Sequence, residues 1–184
     1  MSTPFENYFT LFEQPIQFEL SQSDLDQKLR QLQKQYHPDY VNQEDIKAQR
    51  AAEQASAVIN QAYQTLSHPD SRAAYLLTLA DQGQNLDRSI ADLEFLDDAM
   101  QLRIDLDDAI NTNDTTTLTA LKPQIDARLQ AQSKRFLLSY EASDWETAID
   151  ATQKLKFLVK LAADVTRGLD TVASLQSDDD DLYV

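Results

Sequence analysis

Asp24-Leu25-Asp26-Gln27-Lys28-Leu29-Arg30-Gln31-Leu32-Gln33-Lys34-Gln35-Tyr36-His37-Pro38-Asp39 spells an amphipathic helix brought to a stop by a proline. Leu25, Leu29, Leu32 and Tyr36 recur at i, i+4, i+7 and i+11, one face of a helix. Ser21, with Asp24 three residues on, has the spacing of a capping box at its start. At about 100° per residue, Arg30 and Lys34 fall nearly opposite the apolar stripe, and Lys28 lies on its flank. Between Leu25 and Tyr36 stand three basic residues and one acidic, inverting the balance of a chain whose net charge is −15.

Working outward, Pro38 ends the helix and a polar loop runs to about Gln43. A second long helix then carries Ile46, Ala51, Ala55, Ile59, Ala62 and Leu66. His68-Pro69-Asp70 repeats the tripeptide His37-Pro38-Asp39, but in a tight junction between helices. There proline suits the first helical position and aspartate the positive end of the helix dipole, a structural role. The next helix spans about 69–80, and Asp81-Gln82-Gly83-Gln84-Asn85 is the best linker in the chain. Three longer helical patterns follow, over about 89–111, 116–141 and 144–175. Ser143 and Glu146 are spaced as a second capping box, and Pro123 is expected to delay or kink its helix. Upstream, Phe5 to Phe12 forms a short aromatic segment.

Composition narrows the chemistry. The 184 residues include no cysteine, which removes disulfides, thiolate metal sites and a Cys nucleophile. Two glycines leave no glycine-rich phosphate loop. A pI near 4.3 argues against broad binding to nucleic acid or anionic lipid. No run approaches the roughly 20 apolar residues of a membrane span, and no targeting segment is readable, so a bacterial cytoplasmic location is expected. No catalytic or metal site is expected either. His37 and Asp39 are held apart by a proline, no nucleophile accompanies them, and adjacent pairs such as Asp97 and Asp98 point to different sides of a helix.

The order of these motifs resembles the J-domain family: a short aromatic first helix, then a basic second helix ending Tyr36-His37-Pro38-Asp39. A third helix finishes Ile59-Asn60-Gln61-Ala62-Tyr63-Gln64-Thr65-Leu66, and Pro69-Asp70-Ser71-Arg72-Ala73-Ala74-Tyr75 closes the pattern. The likeness extends to the HscB co-chaperones of iron–sulfur cluster assembly. It rests on Asn7-Tyr8-Phe9-Thr10-Leu11-Phe12, Leu76-Leu77, Phe95-Leu96, Leu102-Arg103 and Lys154-Leu155-Lys156-Phe157-Leu158. The resemblance implies that His37, Pro38 and Asp39, with Lys28, Arg30 and Lys34, dock on an HscA/DnaK-type ATPase chaperone and stimulate hydrolysis. Asp39 would engage a basic residue by a charge-assisted contact. Tyr40 stands where the family often has lysine, which removes one docking charge.

The second half adds a physical clue. Over 89–111, Leu93, Leu96, Met100 and Ile104 form one stripe, while Phe95, Ala99, Leu102, Leu106 and Ile110 form another roughly opposite. A bundle helix needs one buried face, so the other covers a neighbour or meets a partner. By resemblance, this helix binds an IscU-type iron–sulfur scaffold, with Leu96, Met100 and Arg103 on that side and Phe157 at its edge.

The expected architecture is therefore all-α and L-shaped: a J-domain at 1–81, a linker at 82–88, a three-helix bundle at 89–176 and an acidic tail at 177–184. The expected function is a co-chaperone presenting an IscU-type scaffold to an HscA-type ATPase for cluster transfer, with no cofactor of its own. The alternative is a generalist J-protein whose C-terminal bundle binds another client or dimerises. A plain coiled-coil adaptor fits the ordered motifs poorly.

Overall fold

The structure is a computed structural model that describes residues 6–36 and 46–180, with side chains as far as Ser174. Among the described residues all regular structure is helical. The chain divides into two compact units, Met1–Gly83 and Gln84–Val184.

In the first unit α1 (Tyr8–Leu11) is capped by Asn7, whose Oδ1 accepts from the Thr10 amide at 2.9 Å. α2 (Gln22–Gln35) starts as its sequence requires, with Ser21 Oγ accepting from the Asp24 amide at 3.3 Å. α3 (Ile46–Ser67) pairs with α2, and α4 (Pro69–Leu79) takes Pro69 at its first position. Phe9, Phe12, Leu25, Leu66 and Leu76 fill the core between them. The register of α3 departs from the expected one. Ala52, Ile59, Ala62 and Leu66 are buried, whereas Ala51 is exposed and Ile46 stands 64% exposed at the helix start. Alanine tolerates either side of a helix, so its spacing alone leaves the buried face undetermined.

Polar contacts fasten the ends of this unit. The Tyr8 amide donates to the Tyr75 hydroxyl at 3.0 Å while the two rings stack at 4.7 Å. Arg72 donates to the Leu66 carbonyl at 2.6 Å, over the end of α3, and lies 5.1 Å above the Phe18 ring. His68 is exposed. Its Nδ1 lies 3.0 Å from the Gln64 carbonyl and 3.0 Å from Ser67 Oγ, in keeping with a junction residue.

The second unit is built on α5 (Leu93–Asn111), α6 (Thr115–Glu141) and α7 (Trp145–Asp180). Leu102, Leu106, Leu118, Ile125, Leu161 and Val165 form its core. α5 starts at Leu93 and not near 89, because Asp92 caps it and accepts from the Phe95 amide at 3.0 Å. Pro123 does not delay α6, which begins at Thr115 and runs through it. Pro123 and Thr119, whose carbonyl would have met the missing N–H, are both exposed, so water can satisfy that group.

Ser143 is not a helix cap. It has a left-handed φ of 56° as the residue beyond α6, and Asp144 caps α7 by accepting from the Thr147 amide at 3.2 Å. The same terminal motif closes α5: Asn113 is left-handed (φ 53°), and the Asp114 amide donates to the Ala109 carbonyl at 2.8 Å. Glycine usually fills this position. Here Glu13, Asp81, Asn113 and Ser143 accept the conformation, which is how a chain with two glycines turns between helices. Gly168 serves close packing instead. A Cβ placed there would lie 3.0 Å from Ile110 Cγ1 and 3.4 Å from Leu118 Cδ2, where α7 meets α5 and α6.

Candidate functional site: two interaction surfaces

The first surface belongs to α2. Leu25 and Leu32 turn inward, Leu29 is half-buried, and Arg30 and Lys34 are exposed on the opposite side. Lys28 behaves differently. Its side chain is only 16% exposed, and its Nζ lies 2.5 Å from Glu13, so part of its charge is spent holding α2 to the turn after α1. Asp26 is tied to α3. The Tyr63 hydroxyl donates to it at 2.8 Å and Gln22 Nε2 at 2.8 Å, and these bonds hold its carboxyl below the usual range. The one acidic residue of this helix face is thus occupied within the unit, leaving Arg30 and Lys34 as its outward charges. His37, Pro38 and Asp39 lie outside the described residues.

The second surface belongs to α5. Ala99, Leu102, Leu106 and Ala109 are buried against α6 and α7, while Phe95 and Ile110 are half-buried. The other stripe is open: Leu93 is 78% exposed, Leu96 36%, Met100 65% and Ile104 48%. A helix displaying four large apolar residues along one line, next to an already filled core, has a face with no packing partner among the described residues.

Two seams hold α5 and so fix the direction of that face. Toward α6, Arg128 makes a two-pronged contact with Asp98, 2.7 Å to each oxygen, which draws the Asp98 carboxyl down. Toward α7, Arg103 donates to Asp164 at 2.5 Å and to Asp107 at 3.1 Å, and these carboxylates stabilise its charged form. Arg103 is therefore committed to the α5–α7 seam, with 42% of its side chain still exposed. Phe157, on α7, is half-buried. Its ring stands edge-on to Phe95 at 6.2 Å, and it packs against the core of the unit.

Lys154 is the feature that the helix pattern could have revealed and did not. It occupies the apolar stripe of α7 with Ala151, Leu155, Leu158 and Leu161, and is 1% exposed. Its Nζ meets Asp92 at 2.6 Å and Asp150 at 2.8 Å, and lies 5.3 Å from the centre of the Phe95 ring. Because Asp92 is also the cap of α5, this one ammonium joins α7 to the first turn of the open helix. It draws the Asp92 carboxyl down, helped by the Phe95 amide. An aspartate one turn before a lysine in an apolar stripe was the available signal.

No group of three or more His, Asp or Glu side chains able to hold a metal occurs among the described residues, and no described helix is long and apolar enough to cross a membrane.

Comparison with known proteins agrees with this division. Residues 15–75 match the DnaJ domain, and residues 91–166 match the HSCB C-terminal oligomerisation domain. The chain is 36% identical over 178 residues to a co-chaperone protein HscB homolog of Acinetobacter baumannii strain SDF, covering 95% of this chain and 99% of that one. A homolog of the same description from Acinetobacter baylyi is 35% identical over 177 residues, with the same coverage of each chain. Among solved structures, the chaperone HscB from Vibrio cholerae superposes with a TM-score of 0.73 at 36% identity, covering 90% of this chain and 99% of that one. A basic-faced helix in a J-domain, an open apolar helix in a separate bundle, and this likeness along nearly the whole chain place the protein in the HscB family of J-domain co-chaperones.

Proposed function

We propose that this protein couples an IscU-type iron–sulfur scaffold to an HscA/DnaK-type ATPase, holding the scaffold on α5 and stimulating ATP hydrolysis through α2 and the His37-Pro38-Asp39 loop. The observation that carries this reading is the open apolar face of α5, supported by the exposed cations of α2 in a chain of net charge −15. Leu96, Met100 and Phe157 supply contact area to the scaffold, and Arg103 supplies a charge anchored by Asp164. Arg30 and Lys34 supply long-range attraction to an acidic patch on the chaperone, and Asp39 supplies the contact that triggers hydrolysis. Lys28, paired with Glu13, contributes less. The protein performs no bond-breaking step itself. Its chemistry is selective association, and a chain without cysteine does not ligate the cluster through thiolates. The proposed domain limits are 1–81 and 89–176, and the proposed location is the bacterial cytoplasm.

The test is steady-state ATP hydrolysis by the host's HscA-type chaperone, with this protein and with or without the scaffold. Strong stimulation that needs both proteins is expected, and Asp39→Asn should abolish it while leaving scaffold binding intact. Stimulation indifferent to the scaffold would retain the J-domain function and discard the client. Undiminished stimulation by Asp39→Asn would discard the J-domain mechanism.

A further inference from the structure

The positive charges of the second unit are unevenly used. Arg103, Lys122, Arg128, Arg135, Lys154 and Arg167 each meet a carboxylate within 3.6 Å. Lys134, Arg88, Lys156 and Lys160 are the cations of residues 84–174 with no such contact among the described residues. Three of those four, Arg88, Lys156 and Lys160, line one open groove of about 350 Å³. Residues 81–184 carry 10 basic and 21 acidic side chains, so unpaired cations gathered at one place run against the composition.

The groove is apolar as well as basic. Leu86, Ile90 and Phe157 form part of its lining, each half-buried. Its segment before α5 is held to α7 by Gln153, whose Nε2 donates to the Arg88 carbonyl. One carboxylate, Asp87, also lines it, leaving three cations against one anion. Phe157 lines this groove and meets Phe95, in the first turn of α5 between the exposed Leu93 and Leu96 in sequence, edge-on at 6.2 Å.

We infer that the groove extends the α5 client surface and receives an acidic, apolar segment of the scaffold protein. An apolar side chain would sit among Leu86, Ile90 and Phe157, with its flanking carboxylates at Arg88, Lys156 and Lys160. This inference rests on the reading of the second unit as the client-binding half. Charge complementarity selects the occupant. In a chain this acidic, an anionic protein is repelled over most of the surface and attracted at this groove, which fixes the register of the apolar contact on α5. The α5 stripe itself, made of Leu93, Leu96, Met100 and Ile104, supplies area but no sign of charge.

The experiment is calorimetric titration of the full chain with the host's IscU-type scaffold at low and at physiological salt. Lys156→Glu and Lys160→Glu are compared with Lys134→Glu, which makes the same change of charge on α6 away from the groove. All three positions are exposed, so folding is preserved, and a thermal melt verifies it. Lys156→Glu and Lys160→Glu should each weaken binding about three- to tenfold at low salt, with the difference shrinking as salt rises. Lys134→Glu should stay within about twofold. Equal loss in all three variants, or none in the first two, overturns the groove. Leu96→Ala/Met100→Ala separates the two layers of the argument. If it weakens scaffold binding while the charge reversals do not, the client reading stands and the groove fails. Failure of the unaltered chain to bind the scaffold overturns both.

Discussion

Replacing Leu96 and Met100 by alanine divides the energy of two side chains between folding and binding, in proportions set by their exposure. Leu96 is 36% exposed, so about two-thirds of its burial already serves the bundle, while Met100 is 65% exposed and serves it far less. Full burial of either side chain stabilises by about 1.5–3 kcal/mol. Covering what remains open on docking is therefore worth about 0.5–1 kcal/mol for Leu96 and about 1–2 kcal/mol for Met100. The double variant should weaken scaffold binding by about 1.5–3 kcal/mol, roughly 10- to 150-fold in Kd. Its cost to folding has the opposite split, about 1–2 kcal/mol at Leu96 and about 0.5–1 kcal/mol at Met100, so the thermal midpoint falls by several degrees without loss of the fold. Isothermal titration with the scaffold and a melt of the free protein measure the two parts independently. A Kd within about twofold of the unaltered chain, together with the expected fall in midpoint, would show that the stripe serves internal packing and would refute its role in docking.

Acid should weaken both units by a common route. Asp26, Asp92, Asp98, Asp114 and Asp144 have carboxyls held below the ordinary value of 3.8 by hydrogen bonds from Tyr63, Lys154, Arg128, Thr117 and Thr147 respectively. A depressed folded-state pKa contributes stability that is fully present well above 3.8 and is lost as pH falls through the folded values. Denaturant melts should therefore be flat from pH 7 to about 5 and fall below about 4, and Asp114→Asn/Asp144→Asn should shallow that fall while keeping both helix caps. A slope unchanged by the double substitution would remove these caps from the explanation. Gly168→Leu should destabilise the second unit by about 1–3 kcal/mol or more, because even a Cβ there stands 3.0 Å from Ile110. A denaturant midpoint equal to that of the unaltered chain would contradict the close approach of α7 to α5.

Much of this protein can be read before any coordinate is known. The period of Leu25, Leu29 and Leu32, the end of α2 at Gln35 and the start of α4 at Pro69 are local effects, each set by residues within a turn or two of the position concerned. So is the cap at Ser21, and so are the two apolar stripes of α5. These stripes are legible because large aliphatic residues state plainly which faces of a helix avoid water.

Alanine-rich α3 states it weakly, and the buried position proved to be Ala52 and not Ala51. Ser143 and Asp144 could equally end one helix or begin the next. The choice was made by amide donation to Ser139 and Tyr140, a condition of three-dimensional geometry. Tertiary structure also decided what each charge does. In sequence Lys28, Arg103 and Lys154 give no sign of a distant partner, any more than Arg30, Lys156 and Lys160 do. Yet the first three are drawn to Glu13, Asp164 and Asp92, at separations of 15, 61 and 62 residues, while the last three remain turned to water. Helical pattern is short-range, arising from hydrogen bonds and side chains within about one turn, and so it is written in the sequence. The long-range pairing of charges, as of Lys154 with Asp92 or Arg103 with Asp164, depends on which distant carboxylate packing brings within a few ångströms, and no local spacing encodes that.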